Sequence, residues 1–396
     1  MRQVFKLIVV TLVIVTGVLT VVMKVRHSSS GTAPQKDRLV VHEWGTFTSI
    51  AGKDGVALEW RPLNGATDLP KFVYSEKSTY PGLRHFNGKD MPAAVRMETP
   101  VIYFYANREM NISTKVDFPK GKITEWYPQA RTVDKGINWG QIKIQPGAVF
   151  NLPADYSENH YYAARETEAA PVQVCGTNGR KNEQEKFLFY RGVGTFDLPL
   201  AVTLENGRVT LRNSGKDPIA QLIVFENRDG QIGFQSVANF SGLTTIERPA
   251  LDQNTDAVIK RLRQALIDAG LFDKEADAMI KTWRNSWFET GMRVFYVLPR
   301  SATDAVLPIT IDPRPDELVR VLVGRTEIIT PEMEKSVKEQ VSRLSDSSPA
   351  VRAEAALSIK KYGRFSEPIL KQIMEGEADP AMRARIRRLL ETSASE

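Results

Sequence analysis

Two dipeptides constrain most strongly what this chain can become. Asn206-Gly207 separates AVTLE from RVTLR, and Asp229-Gly230 separates LIVFENR from QIGFQSV. Both accept the positive φ of a tight hairpin, a turn whose twist matches that of its strands. From Leu39 to about Glu247, short β-type runs alternate with turn residues: Val101–Tyr105, Ser113–Phe118, Gln141–Ile144, Phe187–Tyr190 and Leu222–Phe225. Many short strands with Gly and Pro between them predict an antiparallel sandwich or barrel-like domain. Within this region Tyr190-Arg191-Gly192-Val193-Gly194 lacks the third glycine and following helix of a phosphate loop, and reads as a turn between strands.

A helical pair follows. Asp256 to Ala269 carries Val258, Ile259, Leu262, Ala265 and Leu266 on one face and stops at Gly270. Asp273 reads as the N-cap of a second helix with Ala276, Met279, Ile280, Trp283 and Trp287 on one stripe. Strand-like runs resume at Met292–Leu298, Leu307–Ile311 and Leu318–Val323, so the pair (256–288) is inserted within β structure. From Thr330 the chain turns helical. Glu332–Leu344 follows Pro331, and two related segments then begin at Pro349 and Pro380, offset by 31 residues. They resemble a HEAT-type repeat, shorter than its usual ~40–47 residues and below the roughly three units needed to stand alone. Residues 330–396 are therefore expected to form a small all-α cap or partner-binding tail.

Near the start, Leu7–Met23 is a run of 17 uncharged residues bracketed by Arg2, Lys6, Lys24 and Arg26. A helix of roughly 17–25 apolar residues crosses a bilayer core, which predicts a transmembrane signal anchor over 1–26 that meets the membrane through 5–23. The run exceeds the about 7–15 residues of a cleaved signal, and no A-x-A-like site follows. Residues 27–38 read as a flexible linker to an extracytoplasmic, periplasmic main domain at 39–329. Five of the six net positive charges lie within residues 1–38, where lipid headgroups would meet them. The nearly neutral remainder excludes nucleic-acid binding. Cys175 is the only cysteine, excluding an intramolecular disulfide and a cysteine-based zinc site. The expected fold class is α+β: an N-terminal transmembrane helix, a β-rich antiparallel sandwich-like domain with an inserted helical pair, and a HEAT-like tail.

Residues able to carry chemistry concentrate in two segments. His42-Glu43-Trp44-Gly45-Thr46-Phe47-Thr48 opens the folded part. His beside Glu can supply a ligand and a base, but no H-E-x-x-H gives a second ligand at helical spacing. In a strand, neighbours point to opposite faces, so His42 and Glu43 cannot share a site without a bulge. A structural histidine beneath Trp44 is the competing reading. In His160-Tyr161-Tyr162-Ala163-Ala164-Arg165-Glu166, Arg165 offers a planar donor and the tyrosines offer platforms for an anionic or sugar-like ligand. A salt-bridged structural knot explains the segment equally well. Glu98, Glu125 and Glu226 sit beside apolar runs, where buried carboxylates need partners. The metal candidates are His42 and His160, although no spacing supports an ion and no cofactor is indicated beyond a divalent metal. No G-x-S-x-G marks a nucleophilic serine.

HEWGTFTS (42–49), EWRPL (59–63), METPVIYFY (97–105), EWYP (125–128), HYYAARE (160–166), KFLFYRGVG (186–194), TWRNSWFE (282–289) and ELVRVLVGR (317–325) together resemble a bacterial family of secreted or membrane-anchored proteins that open with HEWGTFTS. The resemblance covers about 40 to 330. It implies location and architecture and lends no activity or catalytic residue. The sequence thus favours a membrane-tethered envelope protein that binds other macromolecules through its body and tail, with a protein partner at 330–396. The alternative is an extracytoplasmic hydrolase or carbohydrate-active enzyme that uses His42, His160 and the carboxylates Glu43, Glu98 and Glu166.

Overall fold

The computed structural model describes residues 38–63, 68–75, 91–155, 159–176 and 181–392. Its strands in chain order are β1 (Leu39–Ala51), β2 (Tyr74–Ser75), β3 (Val95–Ala106), β4 (Met110–Asp117), β5 (Gly121–Tyr127), β6 (Thr132–Asp134), β7 (Gly136–Ile144), β8 (Val172–Val174) and β9 (Glu183–Glu185). They continue as β10 (Leu188–Gly194), β11 (Leu200–Glu205), β12 (Arg208–Asn213), β13 (Ile219–Arg228), β14 (Gln231–Phe240), β15 (Leu243–Glu247), β16 (Gly291–Val297), β17 (Ile309–Asp312) and β18 (Glu317–Ile328). The α-helices are α1 (Thr255–Asp268), α2 (Asp273–Trp287), α3 (Arg300–Val306), α4 (Pro331–Arg343), α5 (Pro349–Lys360), α6 (Ser366–Gly376) and α7 (Pro380–Thr392).

Both expected hairpins form. Asn206 and Gly207 take φ of 50° and 75° between β11 and β12, and Asp229 and Gly230 take 53° and 89° between β13 and β14. The central sheet has the order β14-β13-β16-β18-β1-β3-β10-β5-β2. β16 and β18, which follow the helical pair, fill its middle, so α1 and α2 are an insertion within one sheet. One expectation needs correcting: β1 runs parallel to β18, and the sheet is mixed rather than antiparallel. A parallel neighbour needs a long crossover, here almost the whole body. A second correction concerns 190–194, which is strand, not turn. β10 bulges between Arg191 and Gly192, where a Cβ on Gly192 would stand 2.1 Å from the Lys122 carbonyl oxygen.

All of β1 is buried, because both faces of the sheet are covered. One face packs Val41, Phe47 and Leu322 against Ile112, Ile142 and Leu211 of a six-stranded and a three-stranded sheet, giving a sandwich. The other packs Trp44, Tyr103, Phe295 and Val321 against Leu262, Met279, Trp283 and Trp287 of the helical pair. The tail helices share a core with Ile50 and Trp60 of the body, which supplies the apolar surface that two repeat-like units lack.

The fold class is further corrected at its N-terminus. The expected anchor, residues 5–23, lies outside the described residues, as does most of the linker. Among the described residues no helix is long and apolar enough to cross a membrane. The longest, α2, has 15 residues, about 22 Å of rise against a core of about 30 Å. The structure supports a β-rich mixed α+β fold, and the transmembrane-helix, membrane and signal-anchor readings are without support.

Three arginines converge on one buried carboxylate where sheet, helical pair and tail meet. Arg293 Nε donates to Glu327 Oε2 at 3.1 Å, Arg325 Nη2 lies 2.5 Å from Oε1, and Arg364 of the tail donates to Oε1 at 3.0 Å. Arg293 Nη1 also donates to the Trp287 carbonyl that ends α2, at 2.7 Å. Burial alone would raise the Glu327 carboxyl, but the three guanidiniums hold it down, from 4.5 to about 2. A carboxyl lowered on folding stabilises fully above about pH 4.5 and loses that contribution as pH falls towards 2. Glu327→Gln, which leaves buried arginines uncompensated, should cost about 3–5 kcal/mol at pH 7. Its urea midpoint should also fall less steeply between pH 4.5 and 2 than that of the unmodified chain. Parallel pH profiles would show that Glu327 is not the linked group.

Candidate functional site

The segment His42–Ser49 follows strict alternation around one bulge. His42 faces the helical pair, where its Nδ1 lies 2.7 Å from Glu275 Oε2 and its ring packs 4.4 Å from that of Phe272. Glu275 also accepts from the Tyr105 hydroxyl at 2.9 Å and from the Phe272 backbone N–H at 2.8 Å, closing the N-terminus of α2. Glu43 faces the opposite side, where Tyr190 OH and Arg320 Nε each donate to it at 2.5 Å. Arg320 in turn reaches Asp304 of α3 and the Leu307 carbonyl, both at 2.7 Å. At Gly45 the register shifts, and a Cβ there would stand 2.9 Å from Pro100 Cα and from Leu322 Cδ1. Opposite it Thr99 adopts a φ of 43°, a strained position for a β-branched residue.

Beyond this bulge lies a polar patch on the helical-pair face of the sheet. Glu98, opposite Thr46, accepts from Thr48 Oγ1 at 2.9 Å and lies 3.5 Å from Arg96 Nε. Asp68 meets Arg191 at 2.8 Å and Arg96 at 3.5 Å, and Arg191 also lies 3.0 Å from Glu125. Burial works against the charge on Asp68 and Glu125, yet Arg191 prevails and holds both below the ordinary carboxyl range. His160 joins this patch through its neighbour, since Asn159 donates to the Asp68 carbonyl at 2.9 Å. Burial lowers the His160 imidazole, with Asp68 opposing, and its Nε2 is buried with no hydrogen-bond partner among the described residues. Its ring packs 5.3 Å from that of Trp283.

The segment His160–Arg165 is one 3-10 helix, capped by Asn159 Oδ1 accepting from the Tyr161 N–H. Arg165 donates to Glu185 at 2.6 Å and stacks 5.0 Å from the Tyr162 ring, while the Tyr161 hydroxyl donates to Glu185 at 3.2 Å. Arg165 and Tyr161 thus satisfy each other's surroundings through Glu185. Glu166 is exposed and pairs with Lys281 of α2. Of the residues singled out in the sequence, the structure gathers Glu98 and His160 into one patch. His42, Glu43 and the Tyr161–Arg165 pair each belong to a different network. Among the described residues no three His, Cys, Asp or Glu side chains group as a metal would require. Cys175 is exposed in a loop, and His85 lies outside the described residues.

The chain leaving this 3-10 helix borders an open cavity of about 520 Å³. Its walls come from four separate stretches: Tyr105 at the end of β3, Phe150 and Leu152 after β7, Thr167 to Pro171, and Lys186 before β10. Lys186 Nζ donates to the Thr167 carbonyl at 3.0 Å and forms no ion pair among the described residues. Burial pulls its ammonium below the ordinary lysine value, with Glu168 opposing. Thr167 Oγ1 is buried with no hydrogen-bond partner among the described residues. Tyr105 links the cavity wall to the His42–Glu275 contact. Sequence reading passed over Lys186, Thr167 and Tyr105, because the cavity has no local spacing to betray it. A lysine directly before the apolar run FLFY was the one available signal.

No family model matches the chain. No curated protein matches it either. Among solved structures, the yeast delta-COP-I mu-homology domain complexed with Dsl1 WxWxV peptide aligns at a TM-score of 0.25 and 10% identity, over 75% of this chain and 98% of that one. So slight a likeness bears on neither fold nor function.

Tyr105→Phe removes one hydrogen bond to a buried carboxyl group and keeps the ring. It should lower stability by about 1–3 kcal/mol in urea unfolding. The loss should vanish in a Glu275→Ala background, which removes the acceptor, if the two side chains act through each other. An undiminished loss there would show that the hydroxyl matters for another contact.

Proposed function

We propose that this chain is a binding and scaffold protein whose β-rich body takes a small ligand in the cavity beside Thr167 and Lys186. The helical tail would offer a second surface to a protein partner. The cavity is the observation that carries the reading. It is large enough for a small molecule, and its wall mixes apolar side chains with a few polar groups that could orient a ligand. By contrast, His42 through Nδ1, Glu43, Tyr161 and Arg165 are each engaged by another side chain of the fold. Ala148 also lines the cavity, and Ala148→Trp should fill it. A fragment screen read by thermal shift should yield binders that stabilise the unmodified chain and no longer stabilise Ala148→Trp. Binders indifferent to that substitution would overturn the cavity as the site.

A hydrolytic reading has one observation in its favour, the buried His160 imidazole nitrogen without a hydrogen-bond partner among the described residues, near enough to Glu98 for that carboxylate to act on its charge. Under the binding reading, nitrophenyl esters and glycosides should not turn over above background. Turnover abolished by both Glu98→Gln and His160→Ala would reverse the order of the two.

A further inference from the structure

Lys186 is the clue to what the cavity holds. A half-buried ammonium whose hydrogen bond goes to a backbone carbonyl has lost water without gaining an ion pair, since Glu168 and Glu185 act on it only at a distance. The nearest acid on the cavity wall, Glu168, is already paired with Lys274, and Glu185 is engaged by Arg165. The Thr167 hydroxyl beside Lys186 is fully buried, which leaves Lys186 as the charged donor this end of the cavity offers a ligand. The apolar part of the wall is formed by Phe150, Leu152, Ala169 and Ala170, and Val149, 96% exposed, stands at its edge. A cation at one place and apolar side chains at the other define the ends of an amphipathic anion.

Resting on the cavity as the binding site, we infer that its ligand is a carboxylate on an apolar stem, the carboxylate received by Lys186 Nζ and the stem laid against Phe150 and Leu152. Tyr105 closes the cavity towards α2, and its hydroxyl is committed to Glu275. A neutral or cationic head would leave Lys186 uncompensated, which sets the specificity. The carboxylate could belong to a free acid or to the C-terminus of a peptide, and the two sources share this chemistry.

Calorimetric titration of the full chain with octanoate, octanol, octylamine and N-acetyl-Ala-Leu tests the inference. Octanoate should bind at least tenfold more tightly than octanol, and octylamine should bind most weakly. Lys186→Met should cost octanoate about tenfold and leave octanol unchanged. Lys186→Arg should keep the preference, which guards against a Met variant that merely packs badly. N-acetyl-Ala-Leu binding more tightly than octanoate would assign the carboxylate to a chain end, and the reverse order to a free acid. Equal affinities for octanoate and octanol, no binding by any probe, or indifference to Lys186→Met would each overturn the ligand class. Should fragments found by thermal shift still depend on Ala148, the cavity would stand while the carboxylate falls. Should they not, both fall.

Discussion

A strand with both faces covered makes every unpartnered polar side chain costly, and β1 is buried over all 13 of its residues. Its polar residues therefore dictate what must dock around it. His42 draws the N-terminus of α2 onto one face through Glu275, and Glu43 draws Tyr190, Arg320 and, through Arg320, α3 onto the other. Thr48 holds Glu98 of β3. On the neighbouring β18, Glu327 gathers Arg293 of β16 and Arg364 of the tail. Apolar burial supplies the driving force for the sandwich and its helical cover. These buried pairs select among packings, since a slip of one residue would place His42 against the opposing sheets and Glu43 against α2. Gly45 completes the segment by letting Pro100 come close where the register shifts.

What could be read from the sequence was what is local. The two hairpin dipeptides, the helical stripes of 256–287 and the opposite orientation of His42 and Glu43 all follow from spacing over a few residues. What could not be read was partnership across the chain. Glu275 is 233 residues from His42, and Arg320 is 277 from Glu43. The parallel pairing of β1 with β18 has the same origin. The Tyr190–Gly194 stretch misled because glycine signals both turns and close backbone approach, and here the second applies. Sequence proximity likewise made the His160–Glu166 segment look like one site. Its side chains instead diverge, to Trp283 and the Asp68 patch, to Glu185, and to Lys281.

Two polar places remain after the structural networks are set aside, and their charge distinguishes them. In the patch around Glu98, the acids Asp68, Glu98 and Glu125 face Arg96 and Arg191, with Arg325 and Arg364 also acting on Glu98. Every acid there has a guanidinium, so the patch is close to neutral and gains little from a charged ligand. In the cavity, Glu168 is taken by Lys274 and Glu185 by Arg165, which leaves Lys186 bonded to a carbonyl and with no ion pair among the described residues. An incoming anion there would regain for Lys186 what burial removed, while an anion entering the patch would displace a carboxylate already held. The difference in uncompensated charge is why the cavity, rather than the patch that carries the histidine, is the stronger place to look for a bound molecule.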